Sequence, residues 1–225
     1  LSTYILNIET ATTNCSVSLA KDGKTIVLKE DNDQGYSHAE RLHVYIDAVL
    51  KEANISSTKL SAIAVSKGPG SYTGLRIGVS AAKGLCFALN KPLLSVSTLE
   101  ALACQVDISD GVIVPMLDAR RMEVYSAVFD SNINQIRATQ AQILEGASFT
   151  DYLEKGKVYF VGNGVEKTKG IIIHENAVFM DDRLPSANEM GALSYRKYKI
   201  SDTEDVAYFE PYYLKDFVAL KPKKS

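Results

Sequence analysis

Apolar and polar positions alternate in two short runs near the start of the chain, Tyr4-Ile5-Leu6-Asn7-Ile8-Glu9 and Cys15-Ser16-Val17-Ser18-Leu19-Ala20, each with the length and period of a β-strand. A Thr/Asn loop, Thr10 to Asn14, joins them. The turn signal Lys21-Asp22-Gly23-Lys24 predicts a third antiparallel strand over 25–30, so the chain opens as a β-meander. The period then changes. Behind the capping-box signature Ser37-His38-Ala39-Glu40, residues Leu42, Tyr45, Ile46, Val49, Leu50 and Ala53 recur at helical spacing up to Asn54. Leu60 to Val65 suits a buried strand, Gly68-Pro69-Gly70-Ser71 a tight loop, and residues 74–89 a second helix that ends before Pro92. Leu93 to Val96 is another buried strand, and Ser97-Thr98-Leu99-Glu100 repeats the capping box ahead of a third helix.

From Val112 the opening pattern returns. Val112 to Asp118 is a strand, Ala119-Arg120-Arg121 a polar hairpin and Glu123 to Phe129 its return strand. Strands at Val158–Val161 and Ala177–Met180 flank a Gly162-Asn163-Gly164 loop, and Ser186 opens a last helix. The second half repeats the first, which predicts an α/β protein of two lobes, residues 1–104 and 105–206, each a mixed β-sheet with flanking helices. Residues 207–225 are expected to return to the first lobe. A chain of 225 residues is long enough for two such units.

Charge narrows the functional classes. The 25 basic and 27 acidic residues leave a net charge of −2, so no global field draws this chain onto nucleic acid or an anionic membrane. The basic residues near the end, Lys215 and Lys221-Pro222-Lys223-Lys224, read as a solvated terminus. The longest small and apolar segment, residues 74–90, is interrupted by Arg76 and Lys83 and falls short of the roughly 20 apolar residues of a membrane helix. With no signal-peptide pattern, the expected location is the cytoplasm. Cys15, Cys86 and Cys104 are widely spaced with no Cys-x-x-Cys pair, which fits a reducing compartment.

The Gly-rich loop invites a phosphate-binding reading, and spacing argues against the two common forms. A Walker loop starting at Gly68 or Gly70 needs its second Gly at Thr73 or Leu75, and a dinucleotide fingerprint from Gly68 needs its third Gly at Thr73. Two accounts remain: an anion held by backbone N–H groups at a helix N-terminus, or a turn whose glycines bring the next helix close to its neighbour. The stripe Gly74, Gly78, Ala81, Leu85 and Ala88 fits the second, packed either on its own sheet or on a partner. His38 and His43, five apart on a helix, are rotated by about 140° and cannot easily share a metal. They read as a polar first-turn His and a helix-surface His. No Gly-x-Ser-x-Gly elbow or Cys-centred motif signals a nucleophile. Asp118, Arg120, Arg121 and Glu123, the densest charged cluster outside helices, read as a solvated turn, with an active or interface role as the alternative.

Taken together, several stretches resemble the TsaB (YeaZ) family. They are Ile5 to Thr12 with Cys15-Ser16-Val17, His38-Ala39-Glu40-Arg41-Leu42, Gly68 to Gly78, Val96 to Leu102, Asp118 to Tyr125 and Pro211-Tyr212-Tyr213-Leu214. The match runs in order over nearly the whole chain. The resemblance implies the two-lobed fold of actin, sugar kinases and Hsp70, the ASKHA fold. It also implies a role as a non-catalytic subunit in threonylcarbamoyladenosine formation on tRNA, pairing with a TsaD-like transferase and working with a TsaE-like ATPase. Alone, the chain would be a homodimer; tRNA would be met through the complex, without membrane contact.

In the family the two helices build a four-helix interface. Carried over, this gives Arg41, Leu42, Tyr45, Ile46 and Val49 on the first helix, with Gly74, Arg76, Gly78, Ala81, Lys83 and Leu85 on the second, as partner-binding residues. The transferase's two metal-ligating histidines align with Thr98 and Leu102, and Leu102 has no donor atom. No cofactor is then required by this chain, and ATP or ADP and a metal belong to the partner subunits. The rival reading is an independent ATP-dependent phosphotransferase holding phosphates on Thr10, Thr12, Asn14, Gly70 and Ser71. Against it, Glu9 stands where the family has Asp and Ala11 where Ser is common. A metalloprotease, suggested by early family naming, would lack its metal.

Overall fold

The structure, a computed structural model, describes residues 2–31 and 38–215. Ser37 of the first capping box and the lysines at 221–224 lie outside them. The first sheet has the order β3-β2-β1-β4-β5, with β1 (Tyr4–Glu9), β2 (Cys15–Lys21), β3 (Lys24–Asp31), β4 (Ala62–Gly68) and β5 (Leu93–Ser97). The meander β1-β2-β3 is antiparallel, and β4 and β5 join β1 in parallel. The second sheet, β10-β9-β6-β7-β8, repeats that pattern with β6 (Val112–Asp118), β7 (Glu123–Asp130), β8 (Gln135–Ile143), β9 (Val158–Val161) and β10 (Ala177–Met180). The two sheets share one mixed topology, as the repeated sequence pattern predicts.

Strand alternation decides what lies on each face. In β1, Leu6 and Ile8 point to the layer formed by α1 (His38–Glu52) and α2 (Tyr72–Leu89), where Leu42, Ile46, Val49, Val79, Ala82 and Cys86 complete a core. Ile5 points to the other face, against Ala64, Leu94 and Ala187, Met190 and Leu193 of α6 (Ala187–Lys199). The sequence division at residue 105 put this helix with the second half, yet it packs on the first sheet. A buried polar chain fixes it there: Ser194 Oγ donates to Asn7 Oδ1 at 2.7 Å, Asn7 Nδ2 donates to Ser18 Oγ at 3.1 Å, and Ser18 Oγ donates to the Ala187 carbonyl at 2.7 Å. The short helix α3 (Thr98–Ala103) buries Leu99 and Leu102 against Ile113, Leu117 and Phe129 of the second sheet. The far face of that sheet packs around Phe149, Phe160 and Val165, beside α4 (Thr150–Leu153) and α5 (Val165–Lys169).

Two local features depart from the pattern reading. Strand β8 was not foreseen, because its residues are half-buried or exposed and mostly polar, and an edge strand needs no apolar face. Helix α2 begins at Tyr72 because Ser71 is its cap, accepting from the Gly74 N–H at 3.3 Å.

Candidate functional site

Helices α1 and α2 leave an open groove of about 770 Å³ on the face away from the sheet. His38, Ala39 and His43 line one wall, and Tyr72, Arg76, Ile77, Ser80, Ala81, Gly84 and Leu85 the other. Its floor is mostly small or apolar. On the same helices Val44 is 61% exposed and Phe87 is 86% exposed, so the apolar surface extends beyond the groove.

The structure divides the expected partner-binding residues. Arg76, Ala81 and Leu85 line the groove. Leu42, Ile46 and Val49 do not: they are the buried side of α1, part of this chain's own core. Arg41 forms an ion pair with Asp31, and Tyr45 donates to the same carboxylate at 3.3 Å, so both tie α1 to β3. Lys83 donates to the carbonyls of Ala207 and Phe209, at 3.0 Å each, and clamps the chain after α6. Gly74 and Gly78 face inward, where a Cβ would stand 2.1 Å from the Thr10 carbonyl oxygen and 2.2 Å from Thr10 Oγ1. The small-residue stripe is therefore split: its first two members seat the β1–β2 loop, and its later members open outward. His38, the first residue of α1, is buried with Nε2 donating to the Thr12 carbonyl at 2.7 Å, and burial lowers its pKa. Its neighbour His43 is exposed, as expected.

Comparison with known proteins places this geometry. The sequence profile of TsaD, tRNA N6-adenosine threonylcarbamoyltransferase, matches residues 33–223. The tRNA threonylcarbamoyladenosine biosynthesis protein TsaB of Escherichia coli K12 is 31% identical over 230 residues, covering 96% of both chains. The chain belongs to the TsaB (YeaZ) family. The Bacillus subtilis TsaB is 37% identical over 125 residues, 56% of this chain and 54% of that one. The solved structure of YeaZ from Pseudomonas aeruginosa superposes with a TM-score of 0.81 at 26% identity, covering 94% of this chain and 100% of that one.

In this TsaB-family chain the residues expected to hold a nucleotide are committed to one another. Thr10 is buried and its Oγ1 donates to the Gly74 carbonyl at 2.8 Å. The Ser71 N–H, a helix N-terminal donor that could have met a phosphate, donates instead to the Ala11 carbonyl at 2.7 Å. Gly70 stands against Ala11 so closely that a Cβ would be 2.5 Å from the Ala11 oxygen. Thr12 Oγ1 accepts from the Asn14 N–H at 3.3 Å, and Asn14 Nδ2 donates to the Pro185 carbonyl at 2.9 Å. Beneath this loop the Ala11 N–H and Ser66 hydroxyl donate to Glu9 Oε1 at 2.6 and 2.8 Å. Burial pushes the Glu9 pKa up to about 7, because the site beneath the loop disfavours a negative charge. These residues do not fit a nucleotide phosphate.

The positions that would match the transferase's metal ligands do not fit a metal either. Thr98 and Leu102 are fully buried, Leu102 packs among Leu99, Ile113 and Val161, and its Cδ2 would touch a Cβ at Gly162. Among the described residues no group of three or more His, Cys, Asp or Glu could hold a metal ion. Burial pushes the thiols of Cys15, Cys86 and Cys104 up to about 11, 12 and 11, which disfavours their thiolate forms. Among the described residues no helix is long and apolar enough to cross a membrane.

The sequence reading named no candidate site residue in the chain after α6. Tyr212 N–H donates to the Lys67 carbonyl at 2.7 Å, the Tyr213 ring lies 5.1 Å from Tyr72, and Lys215 pairs with Glu123 on the second sheet. Lys215 is thus an anchored residue rather than part of a solvated end. The signal was present in the Pro211-Tyr212-Tyr213-Leu214 run, where adjacent tyrosines signal contact surface more than linker.

Proposed function

We propose that this chain is a non-catalytic subunit that pairs with a TsaD-like transferase through the α1–α2 groove and so serves threonylcarbamoyladenosine formation on tRNA. One observation carries the reading. The groove is open and apolar, while the places where this fold would do chemistry, the β1–β2 and β4–α2 loops and the Thr98/Leu102 position, are filled by the chain's own atoms. ATP, ADP and metal then belong to the transferase and to a TsaE-like ATPase. The same groove is the surface on which two copies of this chain would pair when the transferase is absent, and tRNA is met through the assembled complex.

Gly84 provides a clean test, because a Cβ built there meets nothing within 4 Å. Gly84→Arg and Ala81→Trp should leave thermal unfolding within a few degrees of the parent, a shift of about 1 kcal/mol or less. Both should abolish co-purification with the transferase. Normal pairing by both variants would overturn the proposal.

A further inference from the structure

A strip of alternating cations and tyrosine rings starts at the mouth of the groove and runs across to the second sheet. Arg76 lies 5.3 Å from the centre of the Tyr72 ring and donates to its hydroxyl at 2.7 Å. Tyr72 meets Tyr213 at 5.1 Å between ring centres. Two residues on, Lys215 Nζ lies 5.9 Å from the Tyr125 ring, whose hydroxyl also feels the charge of Arg120. Arg121 follows Arg120 at the tip of the β6–β7 hairpin, and both are exposed. Tyr212 and Tyr213 remain 43% and 38% exposed, enough of each ring to offer a face.

The hairpin is held from beneath. Lys167 Nζ donates to Asp118 Oδ1 at 2.8 Å and to the carbonyls of Arg121 and Glu123 at 2.9 and 2.6 Å. Arg120 and Arg121 take positive φ, 69° and 50°, which sets their side chains at a fixed tip. The acidic groups nearby are mostly engaged: Asp118 with Lys167 and Glu123 with Lys215, while Glu210 lies near Tyr213. Arg76, Arg120 and Arg121 form no ion pair among the described residues, so their charge is available to an outside anion.

Exposed rings flanked by arginines that form no ion pair among the described residues suit a single-stranded nucleic acid, in which bases stack on the rings and phosphates meet the guanidinium groups. A chain with net charge −2 that concentrates cations here fits a local phosphate contact rather than a general polyanion surface. We infer that this strip, from Tyr213 and Lys215 to Arg120 and Arg121, contacts an unpaired segment of the RNA that the complex modifies. The inference rests on the proposed role in tRNA modification. It gives the chain a direct share in holding the substrate, beside the partner that docks in the groove.

The test uses the reconstituted complex with its transferase and an unmodified tRNA transcript, read by fluorescence anisotropy over a series of salt concentrations. Asn tolerates the left-handed backbone at both hairpin positions, so Arg120→Asn/Arg121→Asn keeps the turn while removing two charges. Pairing with the transferase should be unchanged, tRNA affinity should fall about tenfold, and the salt slope should drop by about 2. Tyr213→Ala should weaken binding several-fold, and Tyr213→Phe, which keeps the ring, should not. Unchanged affinity and slope in the Asn pair, with pairing intact, would overturn this surface. Equal behaviour of the Ala and Phe variants at 213 would overturn the stacking role. A parent chain that neither pairs nor brings tRNA into the complex would instead overturn the functional reading beneath it.

Discussion

Glu9 is the residue whose charge state the fold controls most directly. It is fully buried, Oε1 holds two hydrogen bonds, and Oε2 is buried with no partner. Desolvation outweighs the donors from Ala11 and Ser66 and lifts its pKa from 4.5 to about 7. A carboxyl whose folded pKa lies above its unfolded value binds its proton more tightly when folded. Its stabilising contribution is complete below about pH 4.5 and is lost as pH rises through about 7, a difference on the order of 3 kcal/mol. Glu9→Gln mimics the protonated state, so urea unfolding of that variant from pH 5 to 8 should show a flatter pH profile than the parent. An unchanged slope would mean that Glu9 does not titrate in this window. The residue also shows why the nucleotide reading of the loop could not be settled by motif. Spacing excludes a Walker grip, but only the packed loop shows that the Ala11 and Ser71 amides are already spent on Glu9 and Ala11.

Among the elements, α2 shows both what a periodic pattern reveals and where it stops. Its length and amphipathic character were legible, and so was the use of glycine for close approach. The object approached was not, because Thr10 is 64 residues from Gly74 in sequence. Two stripes also lie side by side on this helix: Leu75, Val79, Ala82 and Cys86 enter the core, while Ala81 and Leu85 reach the groove. A one-dimensional pattern cannot separate faces about 110° apart when both are small or apolar. Leu42, Ile46 and Val49, carried over from the family's interface, are buried in this chain's own core. Gly78→Ala should therefore destabilise the monomer by about 2 kcal/mol, through overpacking against Thr10. Thr10→Ala should recover part of that loss in the double variant, measured by chemical denaturation. Additive effects would show that the two sites do not touch.

The whole molecule is two copies of one topology tied across by α6 and by the segment that follows it. Helix α6 leaves the second half of the sequence and packs on the first sheet, and Lys215 returns from the first sheet to the second. The Asn7–Ser194 hydrogen bond lies at the centre of the α6 contact and is fully buried. Asn7→Ala and Ser194→Ala should each cost about 1–2 kcal/mol, with a coupling of about 1 kcal/mol in the double-mutant cycle. Hydrogen exchange should quicken along α6 and leave β9 unaffected. Equal quickening in both would show that the contact is not local to the first lobe. The sequence by itself determined the strands other than β8, the helices α1, α2, α3 and α6 and the duplicated order, because periodicity is set by neighbours a few residues away. Only the tertiary structure decided which sheet α6 joins, which side of each helix faces outward, that the loop groups of Thr10, Ala11 and Ser71 bond within the chain, and that tyrosines and arginines form one strip. Each of those depends on residues far apart in sequence meeting across a packed surface, and no local pattern records that distance.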